Sequence, residues 1–164
     1  RDVRVTNGHF DAPVSGKAFG WRLGRVAGVE TKRERRDEVG GGYAMRFHFL
    51  GTANLRFAHF WQYFPLRPGT TCELRFSWKS SRLGTDQGRY ADVRGVGCEG
   101  VSVRSPAITG TRDWSRENLI FDVPDQCRMA KITFRRDESL KFDSKIRGDV
   151  WIDAVELVET RSAR

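Results

Sequence analysis

The sequence predicts a single all-β domain built as an antiparallel β-sandwich. Segments that alternate apolar and polar residues recur along the chain, and clusters of Gly, Pro, Asn and Asp separate them. Five Trp and eleven Phe supply large side chains that can fill the interior of a sandwich. No stretch shows a convincing 3.6-residue apolar period, so little helix is expected. The 164 residues fit one domain, 1–164, which we expect to be the C-terminal part of a larger protein.

The strand pattern appears in six segments, in the order 43–49, 55–64, 72–79, 118–123, 130–135 and 150–158. The last segment is apolar on both faces until Glu156, which favours a central strand. The run 32–38 alternates basic and acidic side chains close to three Gly, so it is interpreted as a solvated loop. The ends, about 1–3 and 160–164, are expected to be frayed tails.

The net charge of +8 raises the question of a nucleic-acid partner. However, the 29 Lys and Arg are spread along the chain among 21 acidic residues, and no nucleic-acid motif is present. We therefore expect no specific nucleic-acid binding, whereas a basic face could attract an acidic polymer such as an anionic polysaccharide. No run of 18 apolar residues exists, so no membrane span is predicted.

Motifs of the common catalytic centres are absent from the sequence. It contains no Gly-x-Ser-x-Gly elbow and no His-Glu-x-x-His pair, and the Gly run 40–42 precedes a strand rather than a helix. The three His are scattered singly. We therefore predict that the domain is not an enzyme.

The segment 55–64 carries aromatic rings on both of its faces. Either this strand is covered on both sides, or one face is open and displays its rings. An open face could stack a ring on the C–H face of a sugar, while polar neighbours bond the sugar's hydroxyl groups. The candidate ligand-binding residues are Trp61, Gln62, Tyr63, Arg75, Lys79, Tyr90 and Arg94. Because alternate residues of a strand point to opposite faces, Gln62 and its ring neighbours cannot all belong to the site.

The three cysteines have no metal-binding spacing. Cys72 falls on the apolar side of a predicted strand, where a free thiol behaves as a small apolar group. Cys98 and Cys127 lie at strand or loop edges. They either form a disulfide, which implies an oxidising compartment, or remain buried thiols like Cys72.

Four segments together resemble carbohydrate-binding modules of the family 4, 9 and 22 type, which are galactose-binding-like jelly rolls. The segments are 7–11 followed by Trp21, 66–76, 111–124 and 151–157. Cys72 stands where these modules usually have Tyr, and Ala154 replaces the second Asp of their closing strand. The resemblance implies a jelly-roll fold and a non-catalytic glycan-binding function.

The same resemblance implies roles for particular residues. A structural Ca²⁺ would be held by the acid of the opening motif and by the Asp of the closing strand, here Asp11 and Asp153. Trp21, Trp114 and Trp151 correspond to structural rings, so we expect them in the core.

A narrower resemblance covers 98–100, 109–114, 123–127 and 146–153. It is to domains appended to tetratricopeptide-repeat proteins of Gram-negative bacteria that are associated with export or assembly of cell-surface polysaccharide. In that group the cysteines at these positions imply a Cys98–Cys127 disulfide and a periplasmic or extracellular location. Two functional hypotheses result. One is a polysaccharide-binding module that uses a concave sheet face, and the other is a protein-interaction or structural domain of the envelope machinery.

Overall fold

The computed structural model describes residues 5–17, 19–37, 41–141 and 145–161. Within these ranges the chain forms strands and no helix, so the predicted all-β class is confirmed. The strands are β1 Arg22–Leu23, β2 Val29–Arg35, β3 Tyr43–Leu50, β4 Phe60–Pro65, β5 Thr70–Gly84, β6 Tyr90–Gly95, β7 Ser102–Arg104, β8 Gly110–Asp122, β9 Met129–Arg135 and β10 Arg147–Arg161.

The strands form two five-stranded antiparallel sheets that face each other. Sheet I has the order β1-β4-β9-β6-β7, and sheet II has the order β2-β3-β10-β5-β8. Most hydrogen-bonded neighbours are not consecutive in the chain, because the chain crosses repeatedly from one sheet to the other. This arrangement confirms the predicted jelly-roll sandwich, and β10 is central in its sheet as predicted.

Aromatic side chains from both sheets fill the space between them. Trp21 stacks on Phe60 with ring centroids 4.5 Å apart, and Phe60 also approaches Phe47 of the opposite sheet at 5.0 Å. Phe76 meets Phe134 edge to face at 5.2 Å. Each fully buried ring of this kind contributes roughly 1.5–3 kcal/mol through loss of its contact with water.

The alternation of β4 decides which of its aromatic rings are core residues. Phe60, Gln62 and Phe64 are buried between the sheets, whereas Trp61 and Tyr63 point outward and are half-buried. The strand is shorter than the predicted 55–64, because 55–59 forms no ladder. In that stretch only Phe57 pairs, in an isolated bridge outside the named strands.

Two other predictions about chain organisation need correction. The charged run 32–38 is not a loop over its first half, because β2 continues through Arg35 as an edge strand paired with β3. The predicted tail from 160 is wrong at its start, since β10 extends to Arg161 and Thr160 pairs with Thr71. The predicted tail 1–3 and residues 162–164 lie outside the described residues.

A buried arginine lies among the rings of the core. The guanidinium of Arg89 is 4.5 Å from the ring centroid of Phe47 and 4.8 Å from that of Phe57. It donates one hydrogen bond to the carbonyl of Phe134, while its Nε and Nη1 have no partner. Burial away from water lowers the pKa of Arg89 to about 9.

Candidate functional site

The outward-facing residues of sheet I form rows across its strands. The middle row consists, from β1 to β7, of Arg22, Trp61, Thr133, Asp92 and Arg104. The row on one side consists of Tyr63, Lys131, Arg94 and Ser102. On the other side Arg135 is the partner of Tyr90. Strands lie about 4.8 Å apart, so the middle row spans about 19 Å. We call this surface the sheet I face.

Two aromatic rings and two cations lie at one side of the sheet I face. The rings of Trp61 and Tyr63 have centroids 4.8 Å apart and an interplanar angle of 67°. The Lys131 ammonium is 4.4 Å from the Trp61 centroid and 5.8 Å from the Tyr63 centroid. The Arg22 guanidinium lies 5.6 Å from the Trp61 centroid. These distances fit cation–π attraction, which favours a fixed cation beside each ring.

Asp92 forms ion pairs with two arginines of the sheet I face. Its Oδ2 lies 3.0 Å from Arg94 Nε and 3.2 Å from Arg135 Nη1. The carboxylate is almost buried, and the Nε of Arg135 is also buried but has no hydrogen-bond partner. Both arginines therefore have the Asp92 carboxylate as an ion-pair partner.

Tyr90 occupies the neighbouring position on β6. Its hydroxyl donates to Asp137 Oδ1 at 2.9 Å, and the Arg104 guanidinium lies 3.8 Å from its ring centroid. Burial, followed by the hydrogen bond to Asp137, raises the pKa of the Tyr90 phenol. The phenol therefore stays neutral and fixed, and its ring is covered by Arg104 rather than open.

The structure brings together four of the predicted ligand-binding residues. They are Trp61, Tyr63, Tyr90 and Arg94, all on the sheet I face. Gln62 is not among them. It is fully buried, its Nε2 donates to the carbonyl of Thr6, and its Oε1 accepts from the Thr6 N–H. Gln62 is therefore a core residue that ties the opening segment to β4.

Arg75 and Lys79 are also separated from this group, because β5 belongs to sheet II. Arg75 lies beside Glu73, with Nε 3.0 Å from Glu73 Oε1. That hydrogen bond is the main cause that raises the pKa of Arg75 and lowers that of Glu73. Alternation within β5 had placed these residues on one face correctly, but it could not indicate which sheet they belong to.

Sequence reasoning missed Lys131, Arg22 and Arg135 as members of the sheet I face. The period-two pattern of 130–135 already placed Lys131 and Arg135 opposite the apolar Ile132 and Phe134. What the pattern lacked was the strand order, which makes β9 the neighbour of both β4 and β6. Arg22 lies on a two-residue strand that gives no periodic signal.

Trp114 and Trp151 lie on the outward side of sheet II, so their predicted place in the core is wrong. Trp21 is buried, as predicted. Both outward indoles are half-buried, and each has a cation of the chain close to its ring, as Trp61 has. The Arg36 guanidinium is 3.8 Å from the Trp114 centroid, and the Lys79 ammonium is 4.6 Å from the Trp151 centroid. A cavity of only about 40 Å³ lies beside these rings.

The predicted calcium ligands have other partners in the structure. Asp153 is 3 % exposed, and its Oδ2 lies 2.6 Å from Nη1 of Arg36. Burial raises the pKa of Asp153, against the opposing effect of that hydrogen bond. Asp11 is exposed, and the described residues hold no group of three or more His, Cys, Asp or Glu suited to a metal ion.

Ca²⁺ takes six to eight oxygen ligands. Asp11 and Asp153 do not supply such a set, because Asp153 is already bound by Arg36 and no third acidic residue joins them among the described residues. Calcium binding by Asp11 and Asp153 stays a prediction, which the addition of metal tests.

Cys98 and Cys127 are joined by a disulfide with a Cα–Cα distance of 5.4 Å, and Cys72 is a buried free thiol. The bridge links the loop that follows β6 to the loop that precedes β9. These are the two strands whose outward residues Arg94 and Lys131 are register partners. The disulfide therefore ties together one end of the sheet I face.

Comparisons with known proteins give structural likeness only. No family model and no curated protein matches this sequence. Among solved structures, one described as "CBM4 structure and function" is 16 % identical, covers 95 % of this chain and 99 % of its own, and has a TM-score of 0.64. TmCBM61 in complex with β-1,4-galactotriose is 16 % identical, with coverages of 98 % and 100 % and a TM-score of 0.59.

A cyclase from Fischerella sp. also shares the fold. It is 12 % identical, covers 99 % of this chain and 97 % of its own, and has a TM-score of 0.60. The chain therefore has the jelly-roll sandwich found in carbohydrate-binding modules. Because the same sandwich occurs in a cyclase, the fold alone does not decide the function.

No helix among the described residues is long and apolar enough to cross a membrane.

Proposed function

We propose that this domain is a non-catalytic module that binds a polysaccharide on the sheet I face. The observation that carries the proposal is the pair Trp61 and Tyr63, which lie outward on β4 beside hydrogen-bonding groups fixed by the sheet. Stacking of sugar C–H faces on these rings, with hydroxyl groups bonded by Arg94 and Arg135, is the interaction such a surface supports. The likeness to carbohydrate-binding modules favours the same function.

The proposal is tested by screening the purified domain against a glycan array at physiological salt. We expect a reproducible hit that is lost when Trp61 and Tyr63 are both replaced by Ala. Both rings project away from the core, so the variant should unfold at nearly the same temperature as the wild type. Trp114→Ala, which removes a half-buried ring from sheet II, is the matched control and should keep the hit. Retained binding in the double variant would refute this placement of the site.

We also propose a periplasmic or extracellular location. The support is the Cys98–Cys127 disulfide, since such bonds persist in oxidising compartments. The location is tested by isolating the protein from its native cell and labelling free thiols before and after reduction. Within this domain, Cys72 is the cysteine expected to be labelled after denaturation without reduction. Labelling of Cys98 and Cys127 as well would argue for a reducing compartment.

A second candidate function is contact with a protein partner in an envelope assembly that exports polysaccharide. It is favoured by the outward side of sheet II, where Ile120 is 64 % exposed on the edge strand β8. This function predicts a blank glycan array and loss of assembly with the parent complex on Ile120→Lys. A positive array with normal assembly of that variant would exclude it.

A further inference from the structure

We propose that the polysaccharide bound by the sheet I face is acidic, and that Lys131 recognises its carboxylate groups. This inference rests on the proposed function, because it names the ligand class for the same site. It starts from the position of the Lys131 ammonium, which lies beside both rings that would stack the sugar.

The charges of the sheet I face are not balanced. Its rows carry the cations Arg22, Arg94, Arg104, Lys131 and Arg135. The rows contain one carboxylate, Asp92, which already contacts two of the arginines. A second carboxylate, Asp137, accepts the hydrogen bond of the Tyr90 hydroxyl beside these rows, so cations still outnumber carboxylates. Among the described residues, no carboxylate forms an ion pair with Lys131, Arg22 or Arg104.

A neutral sugar stacked on Trp61 would remove water from the Lys131 ammonium without supplying a negative charge. Loss of hydration around an unpaired charge is unfavourable. A carboxylate on the sugar would replace that water with a charge-assisted hydrogen bond, which is stronger than a neutral one. The face therefore favours a polymer of uronic acids over a neutral glycan.

The test compares polymers that differ only in charge. The wild-type domain is titrated by calorimetry with polygalacturonate and alginate, and with the methyl esters of the same two polymers. We expect at least one acidic form to bind, with its ester at least about tenfold weaker, because a charged hydrogen bond is worth a factor of that order. Lys131→Met should weaken binding to the acid by about tenfold and leave binding to the ester unchanged. Lys32→Met on β2 removes the same charge from an exposed edge of sheet II and should bind like the wild type.

The outcomes separate this inference from the proposed function. Equal binding of acid and ester, lost in the Trp61/Tyr63 double variant, overturns the acidic ligand but keeps the glycan site. Equal losses in Lys131→Met and Lys32→Met, with binding abolished by modest salt, overturn it in favour of unspecific attraction to polyanions. If no polymer binds and the array is blank, both proposals fail.

A different observation carries a second inference, which concerns the predicted calcium position. We infer that two guanidinium groups take the place of a structural cation between the opening segment and the closing strand. Nη1 of Arg36 lies 2.6 Å from Asp153 Oδ2. Nη1 of Arg33 donates to the backbone carbonyls of Phe10 at 3.1 Å and Asp11 at 3.4 Å. The oxygens on which a cation would depend are thus already bound by fixed positive charges.

Both guanidinium groups are held in place by aromatic rings. Arg33 lies 3.9 Å from the ring centroid of Tyr43, and Arg36 lies 3.8 Å from that of Trp114. A guanidinium is a permanent charge with several directed donors, so it can satisfy a buried carboxylate without a metal. The arginines therefore hold the two ends of the domain together.

The test is thermal unfolding of the intact chain in excess Ca²⁺ and in excess EDTA. We expect the two midpoints to coincide, and Arg36→Met to lower the midpoint in both solutions because it leaves Asp153 buried and unpaired. Lys32→Met, on the preceding strand β2, should unfold like the wild type. A higher midpoint in Ca²⁺, or saturable Tb³⁺ luminescence sensitised by Trp, would overturn the inference. The wild-type comparison remains decisive if Arg36→Met does not fold.

Discussion

Reduction of the Cys98–Cys127 disulfide gives the most quantitative prediction about stability. The bridge closes a loop between positions 29 apart in the sequence. For a loop of this length, the chain-entropy relation gives a stabilisation of about 3.5 kcal/mol at 25 °C. In a domain of this size each kcal/mol shifts the midpoint by roughly 2–4 °C, so reduction should lower it by roughly 7–14 °C.

The assay compares thermal unfolding of the wild type with and without a phosphine reductant, followed by near-ultraviolet circular dichroism. The reduced protein keeps every side-chain atom, so the difference reports the cross-link and not lost packing. A Cys98→Ala/Cys127→Ala variant should not respond to the reductant. Cys72→Ala should respond as strongly as the wild type, because Cys72 is a free thiol. A wild-type shift of less than about 2 °C would refute the entropic reasoning.

Three further predictions concern single positions. Gln62→Leu should lower the free energy of unfolding by roughly 1–3 kcal/mol, since it removes both bonds to Thr6, yet glycan affinity should not change. Arg89→Met should leave the free energy of unfolding unchanged or raise it by up to about 4 kcal/mol, because it replaces a buried, unpaired charge. Urea unfolding measures this change, and a clear loss of stability would contradict the prediction.

The third position is Asp86, whose pKa is lowered mainly by a hydrogen bond from the Ser139 hydroxyl. A carboxyl with a lowered folded pKa stabilises the fold above its ordinary pKa, and this contribution is lost as the pH falls through the folded value. Asp86→Asn should therefore have a lower unfolding midpoint than the wild type at pH 7. The difference between the two midpoints should narrow in acid. A difference in unfolding midpoint that stays constant or widens in acid would contradict a stabilising role of the ionised Asp86 carboxylate.

Most of the fold was predictable because apolar and polar residues alternate regularly along its strands. In 72–79 the apolar positions are every second residue, and Cys72, Leu74, Phe76 and Trp78 are all buried. The charged run 32–38 misled the prediction because an edge strand with two solvated faces has no apolar period. Trp151 misled it for another reason. The resemblance had implied a core ring there, and the consecutive apolar residues of its strand did not show that Ile152 faces inward and Trp151 outward.

The candidate site was predictable only in part, because it depends on strand order. Trp61 and Tyr63 lie two residues apart on one strand, so the sequence spacing alone places them on the same face. Lys131 joins them only because β9 lies beside β4, and Lys79 is excluded only because β5 lies in the other sheet. Such pairings join residues far apart in the chain, and no local pattern encodes them.

The most direct test of the glycan-binding face is an NMR titration that follows the indole N–H signals of the five Trp. Single Trp→Phe variants assign Trp61, Trp114 and Trp151, and the titrant is the strongest hit from the glycan array. We predict that the Trp61 signal shifts progressively and saturates while the Trp114 and Trp151 signals stay in place. Shifts confined to Trp114 and Trp151 would place the ligand on sheet II and contradict the assignment of the sheet I face.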